Sequence, residues 1–264
     1  MPMDAALREA VIELASNAGA AIMQVYARDF EVQAKSDHSP LTQADLAAHR
    51  LIVAGLAQLT PALPVLSEEA ADIAWNERRH WQRYWLVDPL DGTREFVKRN
   101  GEFSVNIALI DQGEPVFGVI QAPVDGRIWH AARGDGAWLR EGDQQRALQT
   151  RRPALAPLQV AGSRSHTQPR MQALLARMGP IELHPQGSSL KFCRIAAGEL
   201  DVYPRLGPTS EWDTAAGQCV LEQAGGQLLT PDGQPFRYNQ RETLLNGDFI
   251  ALGDPHLAWQ EWFA

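Results

Sequence analysis

Apolar residues Leu7, Val11, Leu14, Ala18, Ile22 and Val25 recur at spacings of three and four, the period of an amphipathic helix. A second helix is predicted from about Gln43 to Leu59, with Thr42 as its N-cap and Pro61 beyond its end. Two short apolar runs follow, Pro64–Leu66 and Tyr84–Val87, and each ends directly in acidic residues. From Phe103 the pattern becomes strand-like over Phe103–Ile110, Val116–Ala122, Ile128–Ala132 and Ala137–Leu139. The connections Asp111-Gln112-Gly113, Asp125-Gly126 and Gly134-Asp135-Gly136 have hairpin chemistry, so an antiparallel meander is predicted. After the polar, arginine-rich stretch at 149–153 the rhythm changes. Strands at Leu158–Ala161, Ile181–His184 and Leu200–Tyr203 alternate with helices at Pro169–Met178, Leu190–Ala197 and Thr214–Ala224, the last stopped by Gly225-Gly226. The pattern predicts an α/β chain in two halves, an α+β half over 1–150 packed on an α/β half over 151–264.

Composition narrows the partners. The 264 residues are 45% hydrophobic and 21% charged, as in an ordinary globular protein, and are long enough to bury a core. A net charge of −8 argues against long nucleic acids, whose phosphates call for a basic surface, but leaves room for a small anionic ligand met by a local basic pocket or bound divalent cations. Cys193 and Cys219 are isolated and lack metal-finger spacing, which fits a cytosolic thiol protein better than a disulfide scaffold. The first residues carry Asp4, Arg8, Glu9 and Glu13 and do not resemble a signal peptide. The run Leu51–Ala57 falls far short of the ~20 residues needed to span a bilayer, so no integral membrane segment is expected.

The chemistry-bearing segment is Asp88-Pro89-Leu90-Asp91-Gly92-Thr93, directly after an apolar strand. Pro followed by Asp-Gly is also good turn chemistry. Two carboxylates and a carbonyl converging at a strand end would equally suit a hard cation such as Mg²⁺, which demands oxygen ligands. Glu68, in Ser67-Glu68-Glu69, follows another short strand. Asp213 immediately precedes the Thr214–Ala224 helix and could serve simply as its N-cap. Asp45 could likewise be the partner of Thr42 in a capping box.

Taken together, these segments resemble the inositol monophosphatase superfamily in order and spacing. They are Lys35-x-x-x-Ser39-Pro40-Leu41-Thr42-x-Ala44-Asp45, Glu68-Glu69, Asp88–Thr93 and Trp212-Asp213-x-Ala215-Ala216-Gly217. Within it, the stretches Val65–Glu69, Tyr84–Phe96, Asn100–Phe103, Ser163–His166, Gly187–Cys193 and Tyr203–Arg205 are similar to the bacterial CysQ-type 3′(2′),5′-bisphosphate nucleotidases. Arg94 stands where the similar proteins often carry lysine.

The resemblance implies a layered α-β-α-β-α sandwich. It further implies two or three Mg²⁺ ions held by Glu68, Asp88, Asp91, Asp213 and the Leu90 carbonyl, with inhibition by lithium. The implied reaction is removal of the 3′-phosphate from adenosine 3′,5′-bisphosphate, giving AMP, in sulfur assimilation, with 3′-phosphoadenylyl sulfate as a second substrate. Asp45 would accept the Thr93 hydroxyl proton while Thr93 orients the attacking water; Glu68 belongs to the same catalytic group. The Gly92 and Thr93 amides would meet phosphate oxygens, and His166, Ser188, Lys191 and Arg205 would grip the nucleotide. The implied location is the cytoplasm, with peripheral association on the cytoplasmic side of the bacterial inner membrane as a further option. The rival readings are an inositol or sugar phosphatase with the same metal site, and a catalytically dead nucleotide sensor. The Ser163–His166 and Gly187–Cys193 segments weigh against the first, and the retention of Asp45, Thr93 and every implied ligand against the second.

Overall fold

The computed structural model describes residues 3–34, 40–162 and 169–263. Helix α1 (Ala5–Tyr26) is capped by Asp4, whose carboxylate accepts from the Leu7 amide, and it buries Val11, Leu14, Ala18 and Ile22 on one stripe. Strands β1 (Val32–Ala34) and β2 (Pro40–Thr42) form a small antiparallel ribbon that leads into α2 (Gln43–Leu59). Strand β3 (Val65–Ser67), a single turn of 3₁₀ helix and α3 (Trp75–Arg78) precede β4 (Arg83–Asp91). The short α4 (Thr93–Val97) follows, then a run of β5 (Ser104–Asp111), β6 (Glu114–Gln121), β7 (Ile128–Ala132), β8 (Ala137–Glu141) and β9 (Gln144–Ala147). These seven strands, β3 to β9, hydrogen-bond in sequence order, with β3 parallel to β4 and every later pair antiparallel.

Next come β10 (Leu158–Gly162), α5 (Pro169–Arg177), β11 (Ile181–Pro185), α6 (Leu190–Ala196) and β12 (Val202–Arg205). A two-residue β13 (Thr209–Ser210) leads through a 3₁₀ turn to α7 (Ala215–Gln223), followed by β14 (Gln227–Leu229), β15 (Leu245–Asn246) and β16 (Phe249–Leu252). The second sheet has the order β11-β10-β12-β16-β14, parallel among its first three strands and antiparallel beyond; β13 and β15 pair separately.

The two-residue period of β4 and β5 sorts side chains between two cores. Trp85, Val87, Val105, Ile107 and Leu109 face α1 and α2. Tyr84, Leu86, Ala108 and Ile110 face the opposite way, toward Phe192 and Cys193 of α6 and Cys219 and Val220 of α7. A third core lies on the far side of the second sheet, where Val160, Val202 and Ile250 meet Met171 and Leu174 of α5 and Trp259. Each fully buried aliphatic side chain contributes about 1.5–3 kcal/mol of hydrophobic stabilisation before entropy is counted. The layers therefore run helix, sheet, helix, sheet, helix, the sandwich the resemblance implies.

Some elements lie outside the sequence reading. All four residues of β9 are exposed, so this edge strand carries no apolar alternation to reveal it. Strands β14 and β16 also escaped it. Strand β12 begins at Val202, two residues later than expected, because Leu200 is still in the connection from α6. Most relevant to the site, Asp88–Asp91 is not a turn after the strand but a continuation of β4 through a β-bulge.

Candidate active site

The bulge sets the geometry. Asp88 pairs with Asn106 and Asp91 with Ser104, so three steps along β4 span two along β5. One extra residue is thereby pushed out of the ladder. Pro89, which has no N–H, is tolerated within this interruption. The Leu90 amide turns back onto Asp88 Oδ1 at 3.1 Å, and the Leu90 carbonyl accepts from the Thr93 hydroxyl at 3.3 Å. Gly92 then reverses the chain at φ +91°, where a Cβ would stand 3.0 Å from the Glu102 carbonyl oxygen and 3.3 Å from Ser188 Cβ. Only glycine fits that combination of backbone angle and close approach.

Asp88, Asp91 and Asp213 each bring a carboxylate oxygen within 4.8 Å of the others. Glu68, in the 3₁₀ turn after β3, hydrogen-bonds to Asp88. Burial, reinforced by Glu68, Asp91 and Asp213, pushes the Asp88 carboxyl well above the usual carboxylate range. Asp213 is also pushed up, by burial first and then by Asp91, against the opposing pull of the Ser210 amide. So much negative charge in little water is unfavourable unless protons or cations compensate it. An all-oxygen set of carboxylates beside a freed carbonyl fits a hard divalent cation.

The trio is held by residues the sequence reading passed over. Asp91 Oδ2 accepts from the Ser189 amide and the Ser189 hydroxyl, each at 2.6 Å, and from Asn106 Nδ2 at 3.3 Å. Asn106 Nδ2 also donates to Ser189 Oγ at 2.8 Å. Asn106 could have been noticed as a polar residue inside an apolar strand, and Ser189 as the neighbour of Ser188. The Gly187 amide donates to Glu102 at 2.8 Å, and a Cβ on Gly187 would meet the Glu102 carbonyl oxygen at 2.7 Å. Asp213 is not the N-cap of α7, which is Thr214. It closes the preceding 3₁₀ turn, Glu211–Asp213, and its carboxylate accepts from the Ser210 amide at 2.8 Å.

Asp45 binds both Thr42 and Thr93. Its Oδ2 accepts from the Thr42 amide at 2.8 Å and the Thr42 hydroxyl at 2.6 Å, a capping box for α2. Its Oδ1 accepts from the Thr93 hydroxyl at 3.2 Å. The helix cap thus fixes a carboxylate that reaches the start of α4.

Beside the carboxylates lies a cavity of about 550 Å³, lined by Asp91, Gly92, Ser188, Lys191, Arg205 and Asp213 among others. Ser188 has a left-handed backbone (φ +47°) and its hydroxyl accepts a long bond from the Leu190 amide at 3.4 Å. Lys191 is only 5% exposed. Its ammonium donates to the carbonyls of Ser188 at 2.6 Å and Gln186 at 3.2 Å and lies 5.0 Å from the Tyr203 ring centre. Burial lowers its pKa to about 8, against the opposing pull of Asp91. Arg205 donates to the Pro208 carbonyl at 3.0 Å, and its buried Nε has no partner among the described residues. His166 lies outside the described residues, as do Lys35, Ser39 and the rest of Ser163–His166.

A model of the inositol monophosphatase family matches residues 3–261. The chain is 52% identical over 243 residues to the 3′(2′),5′-bisphosphate nucleotidase CysQ of Salmonella typhimurium, covering 91% of this chain and 97% of that one. It is 51% identical over 241 residues to the CysQ of Escherichia coli, covering 90% and 96%. Among solved structures it is similar to CysQ from Bacteroides thetaiotaomicron, with a TM-score of 0.79 and 40% identity over 93% of this chain and 96% of that chain. With the layered fold, the bulged acidic strand and near-complete coverage in agreement, the chain belongs to the inositol monophosphatase family.

Proposed function

We propose that this chain is a divalent-cation-dependent phosphomonoesterase that converts adenosine 3′,5′-bisphosphate to AMP and phosphate. The observation that carries the reading is the 51–52% identity, across nine-tenths of the chain, to proteins named 3′(2′),5′-bisphosphate nucleotidase. The clustered carboxylates beside a cavity lined by Lys191 and Arg205 support it. Glu68, Asp88, Asp91, Asp213 and the Leu90 carbonyl would hold two or three Mg²⁺ ions. When bound, such ions neutralise phosphoryl oxygens and make water more acidic.

The chain's own groups supply orientation and proton movement. Thr42 fixes Asp45 through Oδ2, and the Thr93 hydroxyl donates to its Oδ1. With its proton directed to Asp45, the Thr93 oxygen presents a lone pair to the attacking water. As the water's oxygen bonds to phosphorus, its proton moves to Thr93 Oγ and the Thr93 proton to Asp45 Oδ1. The 3′-oxygen leaves with the electron pair of the broken P–O bond and takes a proton from solvent. The Gly92 and Thr93 amides approach the phosphate oxygens, Ser189 and Asn106 keep Asp91 in place, and Ser188, Lys191, Arg205 and His166 contact the nucleotide. Thr93 is a relay and not a covalent nucleophile.

Hydrolysis of this nucleotide places the protein in sulfur assimilation, and the cytoplasm is its proposed location. No helix among the described residues is long and apolar enough to cross a membrane. The test is phosphate release from adenosine 3′,5′-bisphosphate in Mg²⁺, with and without lithium. Rapid, lithium-sensitive release with AMP as co-product is expected. Cleavage of inositol 1-phosphate in preference to the nucleotide would refute the substrate assignment.

A further inference from the structure

Away from the cavity, one buried polar network joins the segments that carry the carboxylates. Arg78, the last residue of α3, is buried, and its guanidinium donates to Asn239 Oδ1 at 2.7 Å, to the Arg241 carbonyl at 3.2 Å and to the Glu242 carbonyl. The Asn239 side-chain amide donates back to the Arg78 carbonyl at 2.6 Å. The backbone amide of the same residue faces both carboxylate oxygens of buried Glu211, at 3.0 and 2.9 Å. A buried guanidinium and a buried carboxylate are costly unless hydrogen-bonded, and here both bond to Asn239. None of the three lines the cavity.

Residues 239–246 form a strap over the turn that carries Asp213. The Leu244 carbonyl accepts from the Glu211 amide at 2.9 Å, Ser210 pairs with Leu245, and Asn246 Nδ2 donates to the Ser210 carbonyl at 2.7 Å. Ser210 is the residue whose amide binds the Asp213 carboxylate. The far end of the network lies between two other ligand-bearing segments. Helix α3 follows the 3₁₀ turn of Glu68 and precedes β4, which carries Asp88 and Asp91.

We infer that Arg78 and Asn239 are positioning residues for the cation cluster. Their reciprocal hydrogen bonds clamp the strap to α3, and the strap, through Glu211 and Asn246, sets the spacing of Asp213 from Glu68 and from the β4 aspartates. The inference rests on reading the carboxylate cluster as a cation site. Like charges crowded in little water repel one another, so before an ion arrives the backbone must hold them together. A site ordered in advance also loses less freedom when the ion binds. The clamp supplies that order from outside the cavity, across the two halves of the chain.

The test titrates Mn²⁺, a hard cation suited to oxygen ligands, into the chelator-treated full-length chain and follows free Mn²⁺ by its spin-resonance signal. Asn239 has a left-handed backbone, φ +53°, which glycine adopts freely. Asn239→Gly therefore removes the side chain that binds Arg78 and keeps the amide that binds Glu211. Loss of a group that orients metal ligands costs 10–100-fold in affinity, and about tenfold weaker Mn²⁺ binding is expected for this remote one. KM for adenosine 3′,5′-bisphosphate at saturating Mg²⁺ stays within twofold. Arg78→Lys keeps the charge, loses the planar fork, and weakens Mn²⁺ similarly. The double variant is no weaker than the weaker single one, because both changes open the same clamp. Leu174→Ala, in the third core, lowers the melting temperature at least as much and leaves Mn²⁺ affinity unchanged. Mn²⁺ affinity of Asn239→Gly within twofold of the unmodified chain, or equal weakening by Leu174→Ala, would overturn the inference alone. An unmodified chain that binds no Mn²⁺ would overturn the cation-site reading and the inference with it.

Discussion

Replacing Ser189 by alanine tests the site at its most connected point. Ser189 is 2% exposed, and its hydroxyl lies 2.6 Å from Asp91 Oδ2, 2.8 Å from Asn106 Nδ2 and 2.9 Å from the Asp213 carbonyl oxygen. It therefore ties β4, β5 and the turn before α7 together through one atom. Its single proton can go to one acceptor at a time, and the shorter contact to the carboxylate is favoured. A buried hydrogen bond to a charged group is worth about 1.5–3 kcal/mol. Asp91 keeps the Ser189 amide at 2.6 Å in the variant, and Asn106 stays 3.3 Å away, so the lower end applies. About 1.5 kcal/mol corresponds to roughly a tenfold loss of affinity. Ser189→Ala is therefore expected to raise the Mg²⁺ concentration for half-maximal phosphatase activity about tenfold, while kcat at saturating Mg²⁺ falls less. The assay is the initial rate of phosphate release across a Mg²⁺ titration. A half-saturation point within twofold of the unmodified chain would refute the claim that Ser189 holds Asp91 ready for a cation.

Thr93→Val keeps the shape of the side chain and removes the proton shared with Asp45, so kcat should drop about a hundredfold or more with KM little changed; equal kcat would exclude a proton relay through Thr93. Gly187→Ala puts a Cβ 2.7 Å from the Glu102 carbonyl oxygen and should cost about 1–3 kcal/mol. A lowered melting temperature and a weakened Mg²⁺ response measure that cost, and an unchanged melting temperature would show that the turn yields easily. The Asp88 and Asp213 carboxyls titrate above their ordinary value in the fold, mainly because of burial. In the window from that ordinary value, 3.8, up to their raised values, the native state binds more protons than the unfolded chain. Stability in a chelator should therefore fall as pH rises through this window, and added Mg²⁺ should flatten the slope; a melting temperature that rises with pH in chelator would contradict the assignment.

What the sequence discloses here follows the reach of its signals. The period of α1, the Thr42–Asp45 box and the hairpin residues between β5, β6 and β7 act locally, and those elements lie where the pattern places them, to within a few residues. Spacing and resemblance single out Asp88, Asp91 and Asp213, and the fold brings their oxygens together. Ser189 and Asn106 escape notice because their importance is a contact between residues 83 apart in the chain. Lys191 shows the same limit: its segment marks it as a cation, and only the fold shows two carbonyls and a tyrosine ring around it. Strand β9 is invisible because an exposed edge imposes no pattern on its residues.

The bulge in β4 makes the candidate site depend on how many residues the strand contains as well as on which ones. In an uninterrupted strand, residues three apart point to opposite faces, so Asp88 and Asp91 would be divided between two cores. The single surplus residue between Asn106 and Ser104's partners reunites them. A shift of register that absorbed the surplus residue into a regular ladder would leave every carboxylate in the sequence and still divide Asp88 from Asp91. A chain can thus keep the whole acidic motif in an alignment and have lost the centre it spells.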